Sequence, residues 1–287
     1  MLTQKTILIP NTLYQKNATI YEDTSIQPVA DILYFHGGGL LYGQREDLPQ
    51  LHLSTLTQAG YRIIAFDYPL SPSAKLDLIL EDACASVNHY IENPSFYHSE
   101  TLPYFLWGRS AGAYLCLLIA ASGQCKKAPA GILSYYGYGF LCDGWFTAPS
   151  TYYRTLPSVD ESAFRAIPSE IHAEGELNTH YSVYVYARQT GSWINLIYEG
   201  RQKFFYLDFT LRNCSKLPCP LFCAHSITDN DVPYSEFVEL CNRYQPKRFI
   251  ASCNTHDFDR DESNPTTTKL LEATIEFLNQ KLSAYHK

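Results

Sequence analysis

The segment Gly108–Gly112 (GRSAG) decides the fold, because the local pattern changes from strand to helix there. The preceding run Tyr104–Trp107 (YFLW) is continuously apolar, which is typical of a strand covered on both faces. The following run Ala111–Ser122 predicts a helix, which Gly123 ends. The flanking glycines allow Ser110 a strained backbone that points its hydroxyl above the edge of the sheet. In this context G-x-S-x-G indicates a reactive serine rather than an ordinary glycine-bounded turn.

Strands and helices alternate along most of the chain. Apolar runs predict strands at Asp31–Phe35, Tyr61–Phe66, Tyr104–Trp107, Gly131–Tyr135, Leu221–Ala224 and Arg248–Ala251. Helical patterns predict helices at Leu48–Ala59, Leu76–Glu92, Ala111–Ser122, Pro233–Tyr244 and Thr266–Ala284. The alternation predicts an α/β fold with a mainly parallel central sheet and helices on both faces.

Residues 138–216 break this alternation. The segment is rich in aromatic residues and contains an alternating piece, Tyr181–Ala187 (YSVYVYA). Loops beyond about 15 residues are usually functional or disordered, so we expect this aromatic insertion to be structured. We predict a cap over the site, inserted into a core of residues 1–137 and 217–287. The alternative is an insertion that serves packing or dimerisation.

The aromatic residues of the insertion favour an apolar or aromatic-lined pocket. Trp145 and Trp193 are the candidate substrate-binding residues. An exposed aromatic insertion is also compatible with a homodimer.

The run His36–Gly39 (HGGG) directly follows a predicted strand. Acyl transfer needs backbone N–H groups aimed at the developing oxyanion, and glycines let the backbone approach closely. Gly38 and Gly39, with the N–H of Ala111, are the candidate oxyanion donors, and His36 is expected to orient the loop. A phosphate-binding loop is the alternative, but neither glycine-rich phosphate motif is satisfied here.

Two further loops carry a carboxylate and a histidine. The strand at Leu221–Ala224 is followed by a loop with Asp229 and Asp231, at the edge of the sheet where open α/β folds bind ligands. His256 lies in the loop after the last strand. The chain order serine, aspartate, histidine is the order that a catalytic triad requires on a parallel sheet of this type. Spacing alone leaves Asp231 open as a rival to Asp229.

These motifs together resemble the α/β-hydrolases of the esterase/lipase group, in particular the hormone-sensitive-lipase-like acetyl esterases. His36–Gly39 and Gly108–Gly112 match that group's HGGG and GDSAG motifs, and Tyr68–Pro72 (YPLSP) with Glu81 and Asp82 resembles its YRLAPE…ED stretch. The resemblance implies the α/β-hydrolase fold and hydrolysis of small carboxylic esters by a serine, whereas the inserted cap is predicted from the insertion itself and matches no named family.

The resemblance also selects the acid. The segment His225–Pro233 looks like the HGxxDxxVP form of related carboxylesterases and prolyl-oligopeptidase-like hydrolases, which assigns the acid to Asp229. The implied triad is Ser110, Asp229 and His256. Histidine is the general base towards the serine, and the aspartate orients the histidine.

The chain departs from the family pattern at Arg109, Ala113 and Ser226, none of which is a reacting group. The resemblance covers roughly residues 30–137 and 217–284. Arg109 replaces an acidic residue, and we expect it to be an ion-pair partner near the serine turn rather than a contact for a substrate anion.

Charge and composition exclude other classes. The net charge is −7 and the pI about 5.7, without a basic run, so we expect neither a nucleic-acid partner nor a membrane partner. The first residues lack a signal peptide pattern and no apolar run reaches the roughly 18 residues of a spanning helix, which predicts a cytoplasmic protein. The expected partner is a small-molecule ester.

We expect no cofactor and no metal. Asp257, Asp259 and Asp261 alternate, but Glu262 stands where a calcium loop needs glycine. The nine cysteines lack C-x-x-C spacing and are interpreted as small buried side chains in a reducing compartment. Two other functions stay open: a peptidase or amidase of the same fold, and a non-catalytic binding protein on a hydrolase fold.

Overall fold

The computed structural model describes residues 1–100 and 102–285. In these residues, eight strands form one sheet with the order β1-β2-β4-β3-β5-β6-β7-β8. The strands are β1 (Leu2–Ile9), β2 (Lys16–Asp23), β3 (Ala30–Phe35), β4 (Tyr61–Phe66), β5 (Tyr104–Arg109), β6 (Gly131–Tyr135), β7 (Leu221–Ser226) and β8 (Lys247–Ala251).

Every pairing from β4 to β8 is parallel, whereas β2 pairs antiparallel with both β1 and β4. The prediction of a mainly parallel sheet is therefore confirmed. The sequence does not predict β2 (KNATIYED), because polar residues interrupt its apolar run. It forms a strand because β1 and β4 satisfy its backbone hydrogen bonds from both sides.

The sheet is covered by helices on both faces. The helices are α1 (Gln50–Gln58), α2 (Leu76–Glu92), α3 (Ala111–Ala121), α4 (Leu177–Thr190), α5 (Trp193–Ile197), α6 (Gln202–Asp208), α7 (Tyr234–Tyr244) and α8 (Pro265–Tyr285). Successive strand residues point to opposite faces. Ile63 of β4 joins one apolar cluster with α1 and α8, and Ile64 joins the other with α2, α3 and α7. The predicted layers are confirmed.

The segment between β6 and β7 consists of short 3₁₀ turns followed by α4, α5, α6 and a last 3₁₀ turn at Leu211–Asn213. The alternating piece Tyr181–Ala187 lies inside α4 and is not a strand. Val183, Tyr184 and Ala187 are buried with helical spacing on one side of the helix, and Val185 is buried as well. The alternating sequence of this piece therefore does not decide its structure.

Two further features of the described residues concern membrane-spanning helices and cysteines. No helix in the described part of the chain is long and apolar enough to cross a bilayer. All nine cysteines are free thiols, and Cys116 and Cys223 are fully covered by the core around them. They serve as small apolar side chains, as their sequence context indicates.

Candidate active site

The turn from β5 to α3 carries Ser110 in a strained conformation, with φ +54° and ψ −120°. Glycine is required on both sides of it. A Cβ on Gly108 would lie 2.2 Å from the backbone of Gly112, and a Cβ on Gly112 would lie 2.0 Å from the carbonyl oxygen of Phe35. The N–H of Ser110 donates to the carbonyl oxygen of Tyr135 at 2.9 Å, which fixes the turn on the neighbouring strand.

Ser110, His256 and Asp229 form one hydrogen-bonded row, although they come from three different loops. The distance from His256 Nδ1 to Asp229 Oδ2 is 2.7 Å, and the distance from His256 Nε2 to Ser110 Oγ is also 2.7 Å. A carboxylate oxygen only accepts, so Nδ1 donates to Asp229. Nε2 is then left as the acceptor for the Ser110 hydroxyl. This is the tautomer that a general base needs.

The surroundings increase the basicity of His256. Burial by itself would lower the pKa of this imidazole, but the charge and hydrogen bond of Asp229, together with Asp231 and Asp257, outweigh burial and raise the pKa to about 9. Burial would likewise raise the pKa of Asp229, yet the contact with His256 holds that pKa below its usual range. Each partner thus stabilises the charged form of the other.

Asp231, the rival for the acid role, is engaged elsewhere. Its carboxylate accepts from Arg188 Nε at 3.1 Å and from the Tyr184 hydroxyl at 2.7 Å and 2.9 Å. Its own N–H donates to Asp229 Oδ1 at 2.8 Å. The structure brings Asp229, and not Asp231, to His256.

The loop after β3 passes beside the serine turn. A Cβ on Gly37 would lie 3.3 Å from the Cβ of Ser110. Gly38 and Gly39 have φ values of +103° and +62°, which suit glycine. Ala111 is the first residue of α3, and the N–H groups of a first turn have no intrahelical acceptor. The three predicted donor positions therefore lie on the two backbone segments that flank the serine.

His36 supports this loop. Its Nδ1 donates to the carbonyl oxygen of Gly37 at 2.7 Å, and its ring stacks on Tyr68 at 4.3 Å. Burial lowers its pKa to about 4, so the imidazole is neutral near pH 7. These contacts agree with the prediction that His36 orients the loop.

Arg109 points away from Ser110 into a buried ion pair. Its Nη2 donates to Asp259 Oδ1 at 3.0 Å, and its Nε donates to the Tyr136 hydroxyl at 2.5 Å. Both charged side chains are almost fully buried. The prediction of an ion-pair partner is confirmed, and a contact with a substrate anion would require breaking this pair.

A cavity of about 370 Å³ opens beside His256. Four tyrosines contribute to its lining, two from the turns before α4 and one from α4 itself: Tyr42, Tyr152, Tyr153 and Tyr181. Trp145 and Trp193, the predicted substrate contacts, are not among its lining residues. Trp193 is buried and donates its indole N–H to the carbonyl oxygen of Gly39 at 2.8 Å, and Trp145 donates to Glu236 Oε1 at 3.2 Å.

Sequence reasoning missed several residues that touch the site. Tyr136 packs edge-on against the His256 ring, with ring centroids 4.8 Å apart. His225 Nε2 lies 3.4 Å from Asp229 Oδ2, the oxygen that also contacts His256, and donates to the carbonyl oxygen of Val232 at 3.1 Å. The position of Tyr136, directly after β6 at the carboxyl edge of the sheet, is a signal that could have identified it.

The model of a protein family, which is described as having the alpha/beta hydrolase fold, matches residues 32–172 of this chain. The chain has the α/β-hydrolase fold. An acetyl esterase from Salmonella paratyphi B is 28% identical over 145 residues, which cover 48% of this chain and 44% of that protein. The match thus spans less than half the length of this relative. The resemblance to the esterase/lipase group is confirmed.

Solved structures extend the likeness over nearly the whole chain. A protein of unknown function from Staphylococcus aureus has a TM-score of 0.84 at 29% identity, covering 98% of this chain and 99% of that chain. An α/β-hydrolase superfamily protein from Enterococcus faecalis has a TM-score of 0.83 at 24% identity, covering 97% and 99%. An esterase from Pyrobaculum calidifontis shares the fold at 16% identity, with a TM-score of 0.67 and coverage of 96% and 83%.

Proposed function

We propose that this α/β-hydrolase is a serine esterase that hydrolyses small carboxylic esters. The observation that carries the proposal is the row Ser110–His256–Asp229, in which both hydrogen bonds measure 2.7 Å. Nucleophile, base and orienting carboxylate in this arrangement are the groups that acyl transfer needs. The similarity to an acetyl esterase supports an ester as the substrate.

Acylation follows from the roles of these groups. His256 Nε2 takes the proton of the Ser110 hydroxyl while Oγ attacks the ester carbonyl carbon, and the carbonyl electrons move to the oxygen. The N–H groups of Gly38, Gly39 and Ala111 are proposed to bind this oxyanion. When the carbonyl re-forms, the alcohol leaves with the proton from His256, and an acyl ester on Ser110 remains.

Deacylation repeats the steps with water. His256 takes a proton from the water, the hydroxide oxygen adds to the acyl carbonyl, and the Ser110–acyl bond breaks with return of the proton to Oγ. The products are a carboxylic acid and free enzyme. Asp229 stays ionised and stabilises the imidazolium that forms in each half-reaction.

The cavity beside His256 is the proposed substrate site. Its volume of about 370 Å³ is near the lower end of ligand pockets, which suits a small ester. Residues from the segment between β6 and β7 line one side of it, namely Tyr152, Tyr153, Leu177 and Tyr181. We propose that residues 138–216 act in this way as the cap of a core formed by residues 1–137 and 217–287.

The test is hydrolysis of p-nitrophenyl esters from acetate to decanoate, with Ser110→Ala as the control. We expect turnover to fall as the acyl chain outgrows the cavity, and Ser110→Ala to lose at least about 10,000-fold in kcat. A thermal melt of both proteins establishes that the variant is folded. A folded wild type that turns over no ester contradicts the proposal, and a parallel panel of peptide p-nitroanilides then identifies an amidase.

A further inference from the structure

The loop Gly38–Leu40 has an unfavourable backbone. The φ values are +103° at Gly38, +62° at Gly39 and +64° at Leu40. Left-handed backbone is ordinary for glycine but unfavourable for leucine, because the leucine Cβ crowds the carbonyl oxygen. A run of this kind persists only where the surrounding structure holds it. The groups that touch the loop therefore decide where its N–H groups point.

Trp193, at the start of α5, is one of these groups. Its side chain is buried, and its indole Nε1 donates to the carbonyl oxygen of Gly39 at 2.8 Å. This carbonyl belongs to the peptide that joins Gly39 to Leu40, and the Cα of Gly39 links it to the peptide that carries the Gly39 N–H. Fixing the first peptide plane restricts rotation of the second.

Tyr184 of α4 fixes the same glycine from another side. A Cβ on Gly39 would lie 2.2 Å from a ring carbon of Tyr184, so the ring packs directly against the backbone. The Tyr184 hydroxyl donates to both carboxylate oxygens of Asp231, which also accepts from Arg188 Nε. The tyrosine is therefore anchored at its hydroxyl end while its ring supports the loop.

The far end of the loop is tied to the segment just before α4. Gly43 and Gly175 form an antiparallel bridge, with N–H to carbonyl distances of 2.7 Å and 2.9 Å. Two residues further on, Arg45 Nη1 contacts Glu174 Oε1 at 3.0 Å. The segment between β6 and β7 thus contacts the chain just beyond the loop, at Gly43 and Arg45, as well as the loop itself at Gly39.

We infer that Trp193 is a positioning residue, through which the segment between β6 and β7 aims the N–H groups of Gly38 and Gly39 at the oxyanion. The inference rests on the proposed function and adds a role to the cap. A cap that only limits access can be altered without changing the chemical step. Here the chemical step itself depends on α5.

The effect is expected on kcat more than on KM. The oxyanion exists in the transition state and the tetrahedral intermediate, but not in the bound ester. Removal of the Trp193 N–H therefore lowers kcat and leaves KM nearly unchanged. The pH dependence of kcat/KM stays where it is, because Trp193 does not touch His256 or Asp229.

The experiment compares Trp193→Phe with Trp107→Phe on p-nitrophenyl acetate. Trp107 is a matched control, because it is also buried and its indole N–H has no hydrogen-bond partner among the described residues. Both substitutions remove the same atoms, but only Trp193→Phe removes a hydrogen bond. Removing an oxyanion donor typically lowers kcat by about 100- to 1,000-fold. Trp193→Phe leaves the donors in place but less well oriented, so we expect it to lower kcat by about 10- to 100-fold. Trp107→Phe stays near wild type.

Two further measurements sharpen the comparison. The affinity of a boronic acid, whose adduct with Ser110 places an oxygen in the oxyanion site, should fall by the same factor as kcat/KM in Trp193→Phe. Tyr184→Phe keeps the ring on Gly39 but removes its hydrogen bond to Asp231. It should also lower kcat, by a smaller factor than Trp193→Phe. Thermal melts identify any variant that has failed to fold.

Equal kcat in Trp193→Phe and wild type overturns the inference while the esterase proposal stands. A fall in kcat together with a matching rise in KM also overturns it, since the residue would then serve ground-state binding. A wild type that hydrolyses no ester but reacts with a fluorophosphonate contradicts the ester substrate alone, and the labelling rates of both variants then decide the inference. Absence of turnover and of labelling rejects both.

Discussion

The turns at the carboxyl edge of the sheet and the segment between β6 and β7 contribute to the site in different ways. The turns supply the proposed reacting groups Ser110, Asp229 and His256, each one a few residues beyond a strand end. The segment between β6 and β7 supplies Trp193 and Tyr184, which touch the backbone of Gly39 in the proposed oxyanion loop. The proposed reacting groups lie close to strand ends, where local chain geometry limits their positions, whereas the supporting groups are held by packing between distant parts of the chain.

The largest expected effect separates the two aspartates of one loop. Asp229→Asn should lower kcat about 10,000-fold, since an amide in this place favours the wrong tautomer of His256. Asp231→Asn, two residues away, keeps that tautomer and should cost far less in kcat. Steady-state kinetics on one ester, with both variants checked for folding, measures the difference. Equal losses would return Asp231 to the acid role.

The next effect concerns stability and tests the ion pair that connects α4 with the loop after β7. Arg188→Met leaves the buried carboxylate of Asp231 without its cation, which typically costs about 3–5 kcal/mol in the free energy of unfolding. The double variant with Asp231→Asn should recover part of this loss, because no uncompensated charge remains. Urea unfolding of the single variants and the double variant gives the coupling energy. Strictly additive losses would show that the pair is not coupled.

A third substitution changes the point where the two regions meet. Gly39→Ala adds a Cβ that would lie 2.2 Å from the Tyr184 ring, at a backbone with φ +62°. The left-handed backbone alone costs an alanine roughly 1–2 kcal/mol, and the ring must also move. We expect lower stability and lower kcat together. Gly123→Ala is the control, because it has a similar φ of +68° but nothing within 4 Å of the added Cβ.

The smallest effect is electrostatic and belongs to the turns. In the proposed mechanism His256 must be neutral to accept the serine proton, so kcat/KM should rise with pH as His256 loses its proton. The midpoint of this acid limb should lie above the ordinary imidazole pKa, towards the pKa of about 9. Removing the nearby charge by Asp257→Asn lowers that pKa and should move the limb to lower pH by a few tenths of a unit, since Asp257 is exposed. Asp261→Asn, whose carboxylate accepts from Ser263, is the control on the same loop. A limb that moves equally in both variants would argue against a specific contribution from Asp257.

The match between sequence and structure is closest where the pattern is local. The strands at Tyr61–Phe66 and Gly131–Tyr135 and the helix at Leu76–Glu92 have the predicted bounds, because each is a continuous run with a clear stop. The strand Lys16–Asp23 escaped prediction, since its polar sequence becomes a strand only through pairing on both sides. The piece Tyr181–Ala187 alternates in sequence, yet packing of one side of a helix decides its structure.

The sequence by itself determined the alternation of strands and helices in the parallel part of the sheet, as well as the turn around Ser110 and the glycines beside it. Strand-to-helix turns with glycine are governed by local sterics. Motif resemblance added Asp229, and the 2.7 Å contact with His256 agrees with that choice. Only the tertiary structure decided that Arg109 pairs with Asp259 and that Trp193 donates to Gly39 rather than lining the cavity. Such contacts join residues far apart in the chain, and their partners are set by packing of whole elements, on which spacing along the sequence carries no information.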